Sequence, residues 1–148
     1  MKHLIIFILA FTIISCSKDN HSAGASSFIW THQNISHSAS GADAYVTQAG
    51  IGFGPNQIVA YISSMSANYK LSIRLTSLNP GSYPVSLSSN KVDYIDDQGF
   101  NLAGTGGSVI ISSNEDNKLS GNFSVKLINS SSDTTTITGS FNHITVHP

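Results

Sequence analysis

From Phe28 onward, apolar and polar side chains alternate with a period of two, and no segment has a helical period. One segment carries its apolar face on four alternating positions, which are Tyr69, Leu71, Ile73 and Leu75. This pattern is typical of a half-buried antiparallel strand. Because turn residues separate such segments roughly every ~10 positions, the sequence predicts an all-β domain.

Two architectures fit these strands, an antiparallel β-sandwich and a meander β-barrel. Proline cannot donate to a strand ladder, so Pro84 predicts an edge strand and favours the open sandwich. The apolar run 58–62 lacks alternation, which indicates a strand covered on both faces. Further strands are predicted over 28–32, 44–48, 57–63, 100–103 and 109–111, with a loose glycine-rich turn over 104–107.

Two glycines each stand two positions before a phenylalanine on the same strand face. In Gly121-Asn122-Phe123 and Gly139-Ser140-Phe141, the missing side chain leaves room for a ring from the neighbouring strand. We therefore expect Gly121 and Gly139 to lie close to Phe141 or Phe123. The apolar face then switches sides, which predicts a bulge near Asn142.

The first fifteen residues have the order of a secretory signal peptide, with Lys2 followed by an apolar run from Leu4 to Ile14. As a helix this run reaches only ~16 Å, whereas a hydrocarbon core is ~30 Å thick. The residues Ile13-Ile14-Ser15-Cys16 resemble the bacterial lipobox. The resemblance implies cleavage between Ser15 and Cys16 and acylation of Cys16 with palmitate-type chains.

Lipidation is the role that we expect for Cys16, the only cysteine in the chain. No disulfide within the chain and no multi-thiolate zinc site can form with it. Two or three acyl chains would make a stable membrane anchor. The predicted organisation is a signal peptide over 1–15, a lipidated N-terminus and linker over 16–27, and one β domain over 28–148.

The residues Ser17-Lys18-Asp19-Asn20 resemble the short tags that direct lipoproteins of Bacteroidota to the outer face of the outer membrane. A surface-exposed, lipid-anchored outer-membrane protein is therefore expected, and a periplasm-facing anchor is the alternative. The C-terminal half carries four strand motifs: Gly81-Ser82-Tyr83, Gly107-Ser108-Val109-Ile110-Ile111, Ser120-Gly121-Asn122-Phe123 and Gly139-Ser140-Phe141. With the lipobox, they resemble a group of small, uncharacterised lipoproteins of Bacteroidota, which implies an extracytoplasmic β domain.

Composition argues against several classes of function. Charged residues make up 10% of the chain and the formal net charge is −1, so no basic stripe is present to bind nucleic acid. No nucleophile motif or phosphate-binding loop is present, and we expect no catalytic constellation and no cofactor. Asp96 and Asp97 precede Gly99, which indicates a solvated hairpin turn rather than a calcium loop.

The histidines do not suggest a metal site. His143 and His147 share a strand face but lie ~13 Å apart along it. His143 could meet His32 only if the first and last strands pair, and no carboxylate is near in sequence. Trp30 and Tyr45 are the candidate ligand contacts, as rings that could stack on a sugar. Thr134, in Asp133-Thr134-Thr135, resembles an O-glycosylation acceptor of exported Bacteroidota proteins.

The favoured function is a non-catalytic binding or scaffolding module at the cell surface, attached to the membrane by its lipid, with a glycan or protein as partner. One alternative is a hydrolase whose active site is dispersed along the sequence. Another is a structural subunit of a surface complex.

Overall fold

The computed structural model describes residues 25–40, 44–47, 56–63 and 68–147. The predicted signal peptide, cleavage site, lipidated Cys16 and most of the linker lie outside the described residues. The described ranges contain ten strands: β1 (Ser27–His32), β2 (Ile35–Ser40), β3 (Ala44–Thr47), β4 (Gln57–Ser63), β5 (Asn68–Arg74), β6 (Gly81–Pro84), β7 (Lys91–Ile95), β8 (Asn101–Glu115), β9 (Lys118–Ile128) and β10 (Thr134–His147). The all-β prediction is confirmed.

Seven of these strands close into a barrel in the order β10, β3, β4, β5, β7, β8, β9 and back to β10. The closing pair of β3 and β10 is parallel, and the other barrel pairs are antiparallel. Of the two predicted architectures, the barrel is the one found. Pro84 does lie on an edge strand, but β6 is an extra strand that pairs with β8 outside the barrel closure.

The hairpin of β1 and β2 continues the sheet from β10. Gln33 and Asn34 connect its strands with φ angles of 50° and 65°, the positive values of a two-residue type I′ turn. Strand β2 was not among the predicted strands. Its buried positions are His37 and Ala39, Ile35 is exposed at its start, and serines lie between them, so apolar alternation is weak.

The predicted glycine-rich turn over 104–107 is wrong, because β8 runs through it without interruption. The chain absorbs the glycines as a bulge between Gly104 and Gly106. A Cβ at Gly104 would lie 2.8 Å from Cγ1 of Val85. This glycine therefore allows close packing against a neighbouring strand. From sequence alone, a glycine with this role in a strand is not distinguished from a glycine in a turn.

Phenylalanines and glycines interlock in the core as expected. Gly139 pairs with Phe123, and Gly121 pairs with Phe141. A Cβ on either glycine would lie 2.5 Å from Cζ of the partner ring. The expected bulge is also present, since the β9–β10 register shifts between Phe141 and Ile144.

Candidate functional site

A pocket of about 400 Å³ opens at one end of the barrel, where the β1–β2 turn meets the end of β7 and the start of β5. We call it the barrel-end pocket and define it by His32, His37, Tyr69, Asp96 and Asp97. The other described residues of its lining are two glutamines and an isoleucine. Its walls thus come from three separate stretches of the chain.

The hairpin register brings the two histidines to this pocket. His37 lies opposite Trp30 across β1 and β2, and the two rings stack with centroids 5.3 Å apart. His37 also contacts Tyr69 of β5, with ring centroids 4.2 Å apart. His32 packs edge-on against Tyr94 of β7, with ring centroids 4.9 Å apart. These ring contacts hold the hairpin against the barrel.

The two aspartates lie in the turn that follows β7. Asp96 Oδ1 accepts hydrogen bonds from the backbone N–H groups of Gln98 and Phe100, at 3.0 and 2.9 Å. Gly99, with φ of 81°, donates its N–H to the carbonyl of Asp96 at 3.0 Å. The expected hairpin turn is confirmed, but no sequence pattern indicated that this turn borders a pocket.

His32 lines the pocket, is 7% exposed, and its Nε2 has no hydrogen-bond partner. Behind it lie Trp30 and Tyr94, which have no exposed surface. Trp30 Nε1 and the Tyr94 hydroxyl also lack a partner at normal hydrogen-bond distance, although a polar interaction with Trp30 opposes the rise that burial causes in the pKa of Tyr94. An unpaired buried atom costs roughly 1–3 kcal/mol, so the unpaired nitrogen of His32 at a pocket calls for an explanation.

Burial controls protonation in this region. It lowers the pKa of His32, against the opposing charge of Asp96. Burial and the charge of His32 lower the pKa of His37, against Asp97. Burial, and then the charges of Asp97 and Asp96, raise the pKa of Tyr69. Burial also raises the pKa of Tyr94 to about 12. At neutral pH the imidazoles and phenols are therefore uncharged.

The predicted ligand contacts do not come together. Trp30 is fully buried, so its ring offers no exposed face for stacking on a sugar. Tyr45 is half-buried in β3 and packs edge-on against His147 at 6.3 Å. Thr134 is exposed at the first residue of β10, beside the predicted turn. Neither Tyr45 nor Thr134 is among the residues that line the barrel-end pocket.

The first and last strands do pair, as a contact between His32 and His143 would require. However, His32 pairs with Ile137, whereas the opposite end of β1 pairs with Asn142, so the two histidines lie at opposite ends of the ladder. Across the described ranges, no three His, Cys, Asp or Glu side chains are grouped to hold a metal ion. In the same ranges, no helix is long and apolar enough to cross a membrane.

Sequence reasoning missed that His32 and His37 line the same pocket. The signal was their position on either side of Gln33 and Asn34, which a two-residue hairpin turn would bring to one end of the strands.

A family model described as Domain of unknown function (DUF6252) matches residues 32–145. All five residues that define the barrel-end pocket fall within this segment. A search of curated proteins and a search of solved structures each returned no match. Because the matched segment spans well over half of the sequence, the chain belongs to the DUF6252 family.

Proposed function

We propose that this protein is a non-catalytic binding protein of the cell envelope whose barrel-end pocket holds a small polar ligand. The observation that carries the proposal is the buried, unpartnered Nε2 of His32, a residue that lines this pocket together with Asp96 and Asp97. A ligand or its bound water that hydrogen-bonds to this nitrogen would offset its desolvation cost.

The pocket has the size and position of a ligand site. Ligand pockets measure roughly 300–1,000 Å³ and occur at the mouths of β-barrels, and this one measures about 400 Å³. That volume suits one sugar ring or one side chain, so the partner is a small molecule or the end of a glycan or protein. Tyr69, His37 and His32 stand on strands, which favours a pre-formed site.

Fluorescence and NMR can test this proposal directly. Trp30 is the only tryptophan in the chain, and it stacks on His37. We expect a ligand from a panel of sugars, amino acids and amines to shift the Trp30 emission and the imidazole resonances of His32 and His37. If no compound in the panel changes either signal at millimolar concentration, the proposal is wrong.

A matched pair of tyrosine variants locates the binding. Tyr69 and Tyr45 are both half-buried, and each contacts a histidine ring. We expect Tyr69→Ala to weaken binding about tenfold or more, because it removes one wall of the pocket. Tyr45→Ala should leave binding unchanged. If Tyr45→Ala weakens binding and Tyr69→Ala does not, the binding site lies at Tyr45, the ligand contact predicted from the sequence.

The proposal includes a lipid anchor at Cys16 and an outer-membrane location facing the cell exterior, in a bacterium of the Bacteroidota. It is supported by the lipobox resemblance of Ile13-Ile14-Ser15-Cys16 and by the tag that follows. We expect palmitate labelling and membrane sedimentation to disappear in Cys16→Ala. Protease treatment of intact cells should degrade the domain if it faces outward, and a protected domain would indicate the periplasmic alternative.

The hydrolase alternative has one observation in its favour, because two carboxylates and two imidazoles line the same pocket. Such groups can exchange protons with a bound substrate. Chromogenic glycosides and esters provide the assay. Turnover that is lost in Asp97→Asn and kept in Asp116→Asn, which lies in an exposed hairpin turn, would favour the enzyme over the binding protein.

A further inference from the structure

The charge of the barrel-end pocket has one sign. Asp96 and Asp97 carry its negative charge, and the remaining lining residues, Gln33, Ile35 and Gln98, are uncharged. Among the residues that the structure describes, no lysine or arginine lines this pocket. Because burial favours the neutral form of both histidines, no described lining residue offsets the two carboxylates at neutral pH.

We propose that the ligand of the barrel-end pocket carries an ammonium group, which Asp97 and Asp96 bind as counter-charges. The inference rests on the proposed function and adds the chemical class of the ligand. An anionic ligand would face two carboxylates without a compensating cation, which costs binding energy.

Hydrogen-bonding capacity points to the same class. An ammonium group has three donors and no acceptor. The carboxylates are acceptors. One oxygen of Asp96 is already held by the turn, and Asp97 already has a side-chain hydrogen bond with Tyr69. A neutral imidazole at His32 provides a further acceptor when its proton lies on Nδ1, because Nε2 has no partner. The pocket thus presents acceptors from two sides.

Aromatic rings supply the third element of recognition. Tyr69 lines the pocket and is half-buried, and Tyr94 stacks behind it at 6.5 Å. A cation near the face of a tyrosine ring is attracted by the ring's quadrupole, most strongly where water is partly excluded. A carboxylate pair beside tyrosines therefore suits an organic cation better than a fully hydrated inorganic one.

Two charge series on constant frameworks test the inference with the full-length protein. One series is glucosamine, N-acetylglucosamine and glucuronate, and the other is 1,4-diaminobutane, 1,4-butanediol and succinate. In the series that binds, we expect the cation to bind at least tenfold more tightly than the neutral or anionic member. Binding should weaken as salt is raised, because exposed charges are screened.

The outcomes separate the inference from the proposed function. Equal or tighter binding of a neutral or anionic member, with shifts at His37 and Trp30, would overturn the ammonium assignment and leave the pocket as a binding site. If neither these series nor the wider panel perturbs the pocket, both proposals fall. Shifts confined to residues outside the pocket would also overturn both.

Paired charge-removing variants complete the test. Asp97→Asn should weaken cation binding about tenfold or more, since hydrogen bonds to charged groups contribute more than neutral ones. Asp116→Asn removes the same charge from an exposed hairpin turn and should leave affinity unchanged. Thermal melting confirms that both variants fold. If Asp97→Asn and Asp116→Asn weaken cation binding equally, only the net charge of the protein matters, and the assignment of the site to Asp97 is overturned.

Acidification should weaken cation binding as well. The titratable groups that face the pocket or pack against it are His32, His37, Tyr69, Tyr94, Asp96 and Asp97. The tyrosines stay neutral in acid, whereas protonation adds positive charge at the histidines. That positive charge repels an ammonium ligand. Affinity that rises between pH 7 and pH 5 would contradict the inference.

Discussion

Gly139→Ala is expected to destabilise the barrel because no space exists for a methyl group. A Cβ at this position would lie 2.4 Å from the carbonyl oxygen of Ile29 and 2.5 Å from Cζ of Phe123. Carbon atoms in contact normally lie about 3.5–4.0 Å apart. The Phe123 ring can turn away, but the Ile29 carbonyl belongs to the β1–β10 ladder and cannot retreat without loosening that pairing.

Overpacking of a core costs roughly 1–3 kcal/mol. The contact here involves backbone as well as a ring, so we take the upper value of about 3 kcal/mol. Replacing glycine with alanine also restricts the unfolded chain, which returns up to about 1 kcal/mol. We therefore expect the free energy of unfolding to fall by about 2 kcal/mol, with a Tm lower by roughly 8 °C for a domain of this size. Urea unfolding, followed by Trp30 fluorescence and by circular dichroism, measures the change in the free energy of unfolding.

Gly106→Ala is the matched control, since a Cβ there would meet nothing within 4 Å. We expect its free energy of unfolding to change by less than about 0.5 kcal/mol or to rise slightly. The double variant Gly139→Ala with Phe123→Leu should recover part of the loss, because the shorter side chain vacates one of the two contacts. If Gly139→Ala proves as stable as Gly106→Ala, the steric reasoning is wrong.

Three further outcomes follow from burial and backbone angles. His32 and His37 have lowered pKa values in the folded state, so the unfolded chain binds more protons than the folded chain below about pH 6.5. Urea unfolding should therefore show a free energy of unfolding that decreases as pH falls from about 7.5 to about 5.5. A free energy of unfolding that stays constant or rises would contradict this expectation. Tyr94→Phe removes a buried hydroxyl that has no partner at normal hydrogen-bond distance and whose polar neighbour is Trp30. It should change the free energy of unfolding by less than about 1 kcal/mol, and a loss of about 2 kcal/mol or more in calorimetry would contradict this expectation. Asn117→Val places a branched side chain at φ of 58° and should cost about 1–2 kcal/mol in urea unfolding, while no loss would mean that the turn can rearrange.

Local sequence pattern was sufficient wherever the structure depends on neighbouring strands alone. The contacts of Gly121 and Gly139 with phenylalanine rings were predictable because cross-strand neighbours in a hairpin follow from the register. The bulge between Phe141 and Ile144 was predictable because the apolar face changes sides there. In both cases the determining residues lie within one hairpin.

Closure of the sheet was not predictable in the same way. A sandwich and a barrel have the same alternation within each strand, and they differ in which distant strands meet. Here the closing contact is a parallel pair between β3 and β10, at opposite ends of the described chain. Pro84 pointed to an open edge, and that edge exists, but on a strand outside the closure.

The barrel-end pocket was hidden for a related reason. Its residues come from the β1–β2 hairpin, the start of β5 and the turn after β7, and only the fold brings them together. Strand β2 itself escaped notice because His37 takes an inward position that alternation arguments assign to an apolar residue. The residue that obscured the strand is therefore one that builds the pocket.

Stability alone does not account for the composition of this end of the barrel. Most of the core is filled by aliphatic side chains and phenylalanines. At the pocket, the buried His32 instead leaves Nε2 without a hydrogen-bond partner, at a cost of roughly 1–3 kcal/mol. An apolar side chain of similar volume would avoid that cost. This nitrogen belongs to a residue that lines the pocket with two carboxylates, so the group that costs stability is placed to contribute to a complex.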